Sequence, residues 1–436
     1  MCLIYLSLYP KRVIIWLFKF CHYFFLIFAI VLGFFKKTNI GFVAFGCVLI
    51  LSTIGGLKAS VVLACFPEKL FITLLGTMFF FCLLQQNQTL ELLSRKMVVA
   101  VGKQAWLIPI IIYLVSWGLS AAGPGAISVQ SVMIIFAVSL AVQMNASPVL
   151  LGSMAILGAV GGTTSPIALS GIIVTDITNS LGYHGVAQPV FIAVSIVNFI
   201  CAMLLYVGFK GYALNAGNLN SIPQLPKFNK KQTISIVAIV ALIVVVVGLR
   251  YDVGLVAFTL SLLLILCEAV DEKSAVKLIP WNVLILICGV SVLMSVTSLL
   301  GGIDLLSHFL SSLMNDKTAS PLIGLTAGIM SWFSSANGVV LPTLIPTVPG
   351  IVNNIGGGIS LPELVMAIVG GATVAGISPL STGGSLILAT YAQEAKVSDN
   401  ALQSIFSRLF LLSFGVVVVV IIFAGVNGFK LFVTGV

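Results

Sequence analysis

Hydroxyl and amide side chains set beside glycine inside apolar sequence are the residues of this chain best equipped for chemistry, and they occur at four places. Ser116 to Gly123 reads Ser-Trp-Gly-Leu-Ser-Ala-Ala-Gly, and Ser331 to Gly338, 215 positions later, reads Ser-Trp-Phe-Ser-Ser-Ala-Asn-Gly. The second pair is Gly161-Gly162-Thr163-Thr164-Ser165-Pro166 and Gly376-Ile377-Ser378-Pro379, the latter followed by Ser381 and Thr382. Met154-Ala155-Ile156-Leu157-Gly158 precedes one and Met366-Ala367-Ile368-Val369-Gly370 the other, at offsets of 212 for the methionines and 213 for the Ser-Pro pairs.

Breaks of this kind leave backbone N–H and C=O groups without helical partners, which inside a bilayer is costly unless protein, water or a ligand satisfies them. One isolated break reads best as a kink with small residues allowing close helix approach. Four breaks at matching positions in two halves read better as a binding site. A half-helix N-terminus carries about half a positive charge and free N–H donors, so several of them favour an anion, while unwound carbonyls and half-helix C-termini favour a cation. A carboxylate with a cation partner fits this inventory. Substrate contacts are expected from Ser120, Gly123, Thr163, Thr164, Ser165, Ser335, Ala336, Asn337, Gly338, Ser378, Ser381 and Thr382, and cation contacts from Ser120, Gly161, Asn337 and Gly376. Na⁺ and H⁺ are both open as the coupling ion. No catalytic residue, resident metal or organic cofactor is expected.

The charges support this class. All twelve acidic residues map to loops or segment ends, Asp176 among them in a short polar loop with His184. No carboxylate sits at an expected midplane, where proton pumps and many cation antiporters keep one. The net charge of +9 comes from Lys and Arg scattered at the ends of apolar runs, which marks membrane orientation rather than a nucleic-acid surface. The eight cysteines lack Cys-x-x-Cys spacing, so neither a disulfide framework nor a zinc site follows.

The elements that must hold the breaks are membrane helices. With 59% hydrophobic and 8% charged residues, the chain is a polytopic membrane protein in close contact with lipid. The first 35 residues lack a small-residue cleavage site and read as a retained helix rather than a signal peptide. A first repeat over 13–208 contains spans at 13–35, 41–66 and 70–86, an interfacial stretch from Glu91 to Gln104, a broken hairpin over 105–142, a broken span over 149–174 and a last span at 188–208. A linker at 209–232, rich in lysine, reads as cytoplasmic. The second repeat, 233–428, has spans at 233–249, 253–270 and 281–299, an amphipathic piece from Gly302 to Met314, a hairpin at 321–352, a broken span at 363–390 and a last span at 406–428. Five crossings per half would turn the second half upside down, giving an all-α protein of two inverted-topology repeats with about ten membrane helices, two of them broken, plus two re-entrant hairpins. Most Lys and Arg clusters then fall on one side; Lys11-Arg12 fall on the other, against this parity.

The pattern resembles the ion transporter superfamily and its divalent anion/sodium symporters. Ser120-Ala121-Ala122 and Ser335-Ala336-Asn337 stand where that group has Ser-Asn-Thr tips, a partial match. Closer is the resemblance to the malonate/dicarboxylate carrier family, carried by Phe66 to Gly76, Gln86 to Leu90, Gly161 to Ile167 and Gly171 to Val174. The resemblance implies a secondary carrier of malonate or a related dicarboxylate, an elevator motion of hairpins and broken spans against a scaffold, and a homodimer. The inner membrane is the expected location. Alternatives are an exporter or antiporter of another anion, a channel, or an integral membrane enzyme acting on lipid, for which Asp304 with His308 is the one suggestive pair.

Overall fold

The computed structural model describes residues 38–99, 104–214, 225–395 and 399–433, with isolated helical positions at 28, 32 and 36. Lys11-Arg12, nearly all of the expected span at 13–35 and the middle of the linker lie outside the described residues. Every regular element described is helical. The first half contains α1 (Ile40–Ile54), α2 (Ala59–Ala64), α3 (Glu68–Gln86), α4 (Thr89–Val99), α5 (Ile108–Ala121), α6 (Gly125–Gln143), α7 (Pro148–Gly162), α8 (Leu169–Ser180) and α9 (Ala187–Gly208). After the linker come α10 (Lys230–Ile243), α11 (Val253–Leu266), α12 (Glu272–Leu278), α13 (Trp281–Leu299), α14 (Gly302–Ser312), α15 (Ala319–Phe333), α16 (Ala336–Ile355), α17 (Leu361–Val374), α18 (Thr382–Ala395) and α19 (Asp399–Gly425). By length and composition, seven helical segments among the described residues could cross a membrane, the interrupted stretch Leu361–Ala395 counting as one.

The two halves start their helices with the same devices. Asn39 caps α1 and Asp252 caps α11, each through its side-chain oxygen. Ser147 and Ser360 cap α7 and α17 by accepting from Leu150 N–H and Glu363 N–H, and a proline opens each of these helices. A serine or asparagine cap satisfies a donor that the first helical turn leaves unpaired. Pro67 and Pro280 stand before α3 and α13. Each of these pairs is 213 positions apart.

Packing repeats as well. α1 lies against α13, and α11 against α3. A Cβ on Gly41 would collide with the backbone of Ile285 and Leu286, and one on Gly289 with the Gly41 carbonyl. In the other crossing a Cβ on Gly254 would fall 2.6 Å from the Thr73 Cα, and one on Gly76 2.5 Å from the Gly254 carbonyl oxygen. Gly41 and Gly254, like Gly76 and Gly289, are 213 positions apart, so one backbone-on-backbone contact is made twice. Such approach is what small residues permit between membrane helices.

The remaining helices form the part that carries the breaks. α7 packs on α5, α6 and α9, and α17 on α15 and α19. α8 reaches across to α16, and α18 to α6, so the second piece of each broken segment touches the other half. The broken segments extend further than the apolar runs suggest: α8 continues to Ser180, which places Asp176 in a helix rather than in a loop. Glu363, expected at a segment end, lies in the first turn of α17 and is buried.

Candidate substrate and ion site

The first hairpin turn, Ala122-Gly123-Pro124, joins α5 to α6 through positive φ at Gly123 (132°) and Gly125 (72°), a region L side chains avoid. A Cβ on Gly123 would also fall 2.6 Å from the Phe81 ring of α3. The second turn works differently. Ser334 and Ser335 are extended, and the Ser335 hydroxyl accepts from Gly338 N–H at 3.1 Å, capping α16. That helix opens with a π turn over Ala336–Val340, in which the Ser335 carbonyl accepts from both Val339 and Val340 N–H. Widened turns of this type recur at functional sites.

Between α7 and α8 the chain turns through Thr163 to Ala168. The Thr163 carbonyl accepts from Ser170 and Gly171 N–H, and Gly171 lies so close to the Ser165 carbonyl that any Cβ would overlap it. Gly384 stands in the same relation to Ser378 in the second broken segment. Thr164 is spent locally, its hydroxyl donating to Gly161 O at 2.7 Å. Ser381 donates to Gly376 O and Ser378 O, and Ser378 accepts from Leu380 N–H.

Three of the four breaks come into contact. Gly125 adjoins Thr163 and Leu169, a Cβ there falling 3.4 Å from the Thr163 hydroxyl oxygen. Ser170, fully buried, lies 3.4 Å from that oxygen and donates to Asn337 Oδ1 at 2.7 Å. The start of α6, the turn before α8 and the start of α16 thus meet around Gly125, Thr163, Ser170 and Asn337, with Ser335, Ala336 and Gly338 beside them. The N-terminal ends of three helices converge on an uncharged polar cluster, an arrangement suited to an anion. The fourth break stacks on α7 through Gly376 and Gly383, which adjoin Ile156 and Val160. Its Thr382 is exposed, while Thr163, Thr164 and Ser165 are buried.

Ser120 adjoins Gly162, a Cβ on which would fall 2.9 Å from the Ser120 Cβ. Its buried hydroxyl donates to Ala159 O at 2.7 Å, and Ser331 donates to Ala372 O at 2.7 Å in the second half. These bonds make Ser120 and Ser331 counterparts 211 positions apart, one helical turn away from the pairing that the Ser-Trp motifs suggest. By the same register Asn337 corresponds to Ala126, and with the offset of 213 in the broken segments Ser170 corresponds to Gly383. The polar contact has small side chains or none as its counterpart in the other half. Trp117 and Trp332 fix the first arms to the last helices, their Nε1–H groups donating to Ser195 and Ser413 at 3.0 and 2.7 Å.

Ser170 and Phe81 are the residues that sequence reasoning missed. Ser170 carried a weak signal, a hydroxyl four positions after Pro166 and next to a glycine. Phe81 carried none, being one of three consecutive phenylalanines. Asp304 and His308 both lie exposed on α14.

Residues 19–163 match the family described as dicarboxylate carrier protein MatC N-terminus. That match bears out the resemblance over the first third of the chain. Among solved structures, the chain is similar to the Alcanivorax borkumensis YdaH transporter, described as having an unusual topology, at 13% identity and a TM-score of 0.55, covering 87% of this chain and 88% of that one. The two proteins share a fold. No curated protein matches the sequence.

Proposed function

We propose that the protein is a secondary active transporter of a small dicarboxylate, of the malonate or C4 type, coupled to a cation. The observation that carries this reading is the uncharged cluster at Gly125, Thr163, Ser170 and Asn337, where three helix N-termini meet beside hydroxyl and amide groups. The family match over residues 19–163 supports the substrate class. In this reading α5–α6 and α15–α16 are re-entrant hairpins, the halves are inverted repeats, and both hairpins move with the broken spans against α1, α3, α11 and α13 in an elevator motion. Substrate binds between the tips, with Ser335 and Asn337 contributing side chains and the Gly123 tip contributing mainly backbone. Ser378, Ser381 and Thr382 contribute from the second broken span. The protein works as a homodimer in the inner membrane.

Uptake by proteoliposomes containing the purified full chain tests the reading. Saturable, gradient-driven accumulation of malonate, succinate or another C3 to C5 dicarboxylate is expected under an imposed Na⁺ or H⁺ gradient. Absence of uptake for all of them under both gradients would refute the substrate class. Accumulation of a different anion instead would favour the exporter or antiporter alternative.

A further inference from the structure

We propose that Asn198 of α9 and the C-terminal end of α7 form a site for the coupling cation, an alkali ion of the Na⁺ class, on the side of α7 that faces α9. The proposal rests on the cation-coupled carrier reading and places the ion away from the hairpin tips.

Asn198 is fully buried in an apolar helix. Its Nδ2 donates to Val194 O at 2.9 Å, whereas its Oδ1 is buried without a hydrogen-bond partner among the described residues. Exchanging the two amide atoms would set Oδ1 against the Val194 carbonyl, so the network fixes which atom lacks a partner. Burying an unsatisfied amide oxygen is unfavourable, and in a bilayer it marks a position with a task.

The surroundings select a cation. Asn198 packs on Gly161: a Cβ there would fall 3.2 Å from the Asn198 Cβ and 3.5 Å from its Cγ. Gly161 belongs to the last turn of α7, where the carbonyls at the end of a half-helix carry about half a negative charge. An amide oxygen packed against the end of a half-helix offers a hard, neutral ligand, suited to an alkali ion rather than a thiolate- or imidazole-binding metal.

Thermal unfolding of the full-length protein in detergent, with NaCl exchanged for choline chloride at constant ionic strength, tests the site. The wild type is expected to gain stability with Na⁺ in a saturable manner. Asn198→Ala should raise the half-saturating Na⁺ concentration by about tenfold or more, the expectation for losing one ligand to a charged group. Asn198→Leu, of similar shape but without a ligand oxygen, should raise it likewise, and it keeps the test decisive if the alanine variant does not fold. Ser195→Ala, on the same helix, should leave the Na⁺ response unchanged. A wild type indifferent to Na⁺, or an unaltered response in the Asn198 variants that fold, would overturn the proposal and leave a water as the partner of Oδ1. Uptake separates this from the carrier reading: dicarboxylate accumulation undiminished in choline would refute the ion site and keep the carrier, whereas an Asn198-dependent Na⁺ response without dicarboxylate uptake would do the reverse.

Discussion

Ser170 donates to the Oδ1 of Asn337 at 2.7 Å, a contact between residues 167 positions apart that ties the first broken segment to the second hairpin turn. Each partner sits at the start of a helix, Ser170 in the first turn of α8 and Asn337 in the π turn of α16. With Asn337 Oδ1 accepting from Ser170, its Nδ2 is left to donate elsewhere, as a carboxylate requires.

Asn337→Ala should therefore weaken dicarboxylate binding more than it weakens the fold. Loss of a hydrogen bond to a charged group is worth about 1.5–3 kcal/mol, or about ten- to a hundredfold in affinity. Ligand-induced thermal shifts and the uptake KM both read this. An unchanged KM in Asn337→Ala would remove the second hairpin turn from the substrate site.

Ser120→Ala should behave in the opposite way. Its hydroxyl is buried and committed to Ala159 O, as that of Ser331 is to Ala372 O. Each alanine variant should lose about 1 kcal/mol of stability, the net value of an intramolecular hydrogen bond, with a KM close to wild type. A large KM effect without destabilisation would return Ser120 to the substrate or cation contacts.

These two residues also mark what was legible in the sequence. The breaks were readable because Gly, Ser and Pro stand out in apolar surroundings, and each of the four falls where one helix ends and the next begins. The register between the halves was not, because the Ser-Trp motifs align at 215 while the hydrogen bonds of Ser120 and Ser331 align at 211. A helix shifted by one turn presents nearly the same face, so similarity along the chain cannot separate the two. The Ser170–Asn337 contact was hidden for another reason: it depends on α8 crossing to α16, a tertiary relation without a local signature. Asp176 was misplaced because a carboxylate beyond an apolar run reads as a loop, although the helix continues past it to Ser180.

Asp271 should make stability depend on pH at the α12 end of the molecule. Its carboxylate accepts from Ser274, by side chain and by backbone N–H, the latter at 2.9 Å, and this holds it below the usual aspartate value. A depressed folded value means the cap stabilises above the unfolded aspartate value of about 3.9 and loses that contribution as pH falls through the folded one. The difference in melting temperature between wild type and Asp271→Ala should shrink as pH falls below about 4. A difference that stays constant down to pH 2 would count against the cap.

The glycine crossings make the last prediction. Gly41 meets Gly289 where α1 crosses α13, and Gly254 meets Gly76 where α11 crosses α3, all four close to neighbouring backbone. Backbone cannot swing aside as a flexible side chain can, so Gly289→Val or Gly76→Val must push the helices apart, at a cost of about 1–3 kcal/mol or more. Gly46, with open space around its Cβ position, provides the control: Gly46→Ala should be neutral or slightly stabilising, because alanine is the better helix former. If the helices of these crossings serve as the fixed frame against which the hairpins move, the crossing variants that still fold should lose stability while keeping substrate affinity near wild type. Thermal unfolding with and without malonate separates the two effects. A crossing variant with wild-type stability would show that the frame is not held by these contacts, and one that lost malonate binding but kept its stability would place them in the site instead.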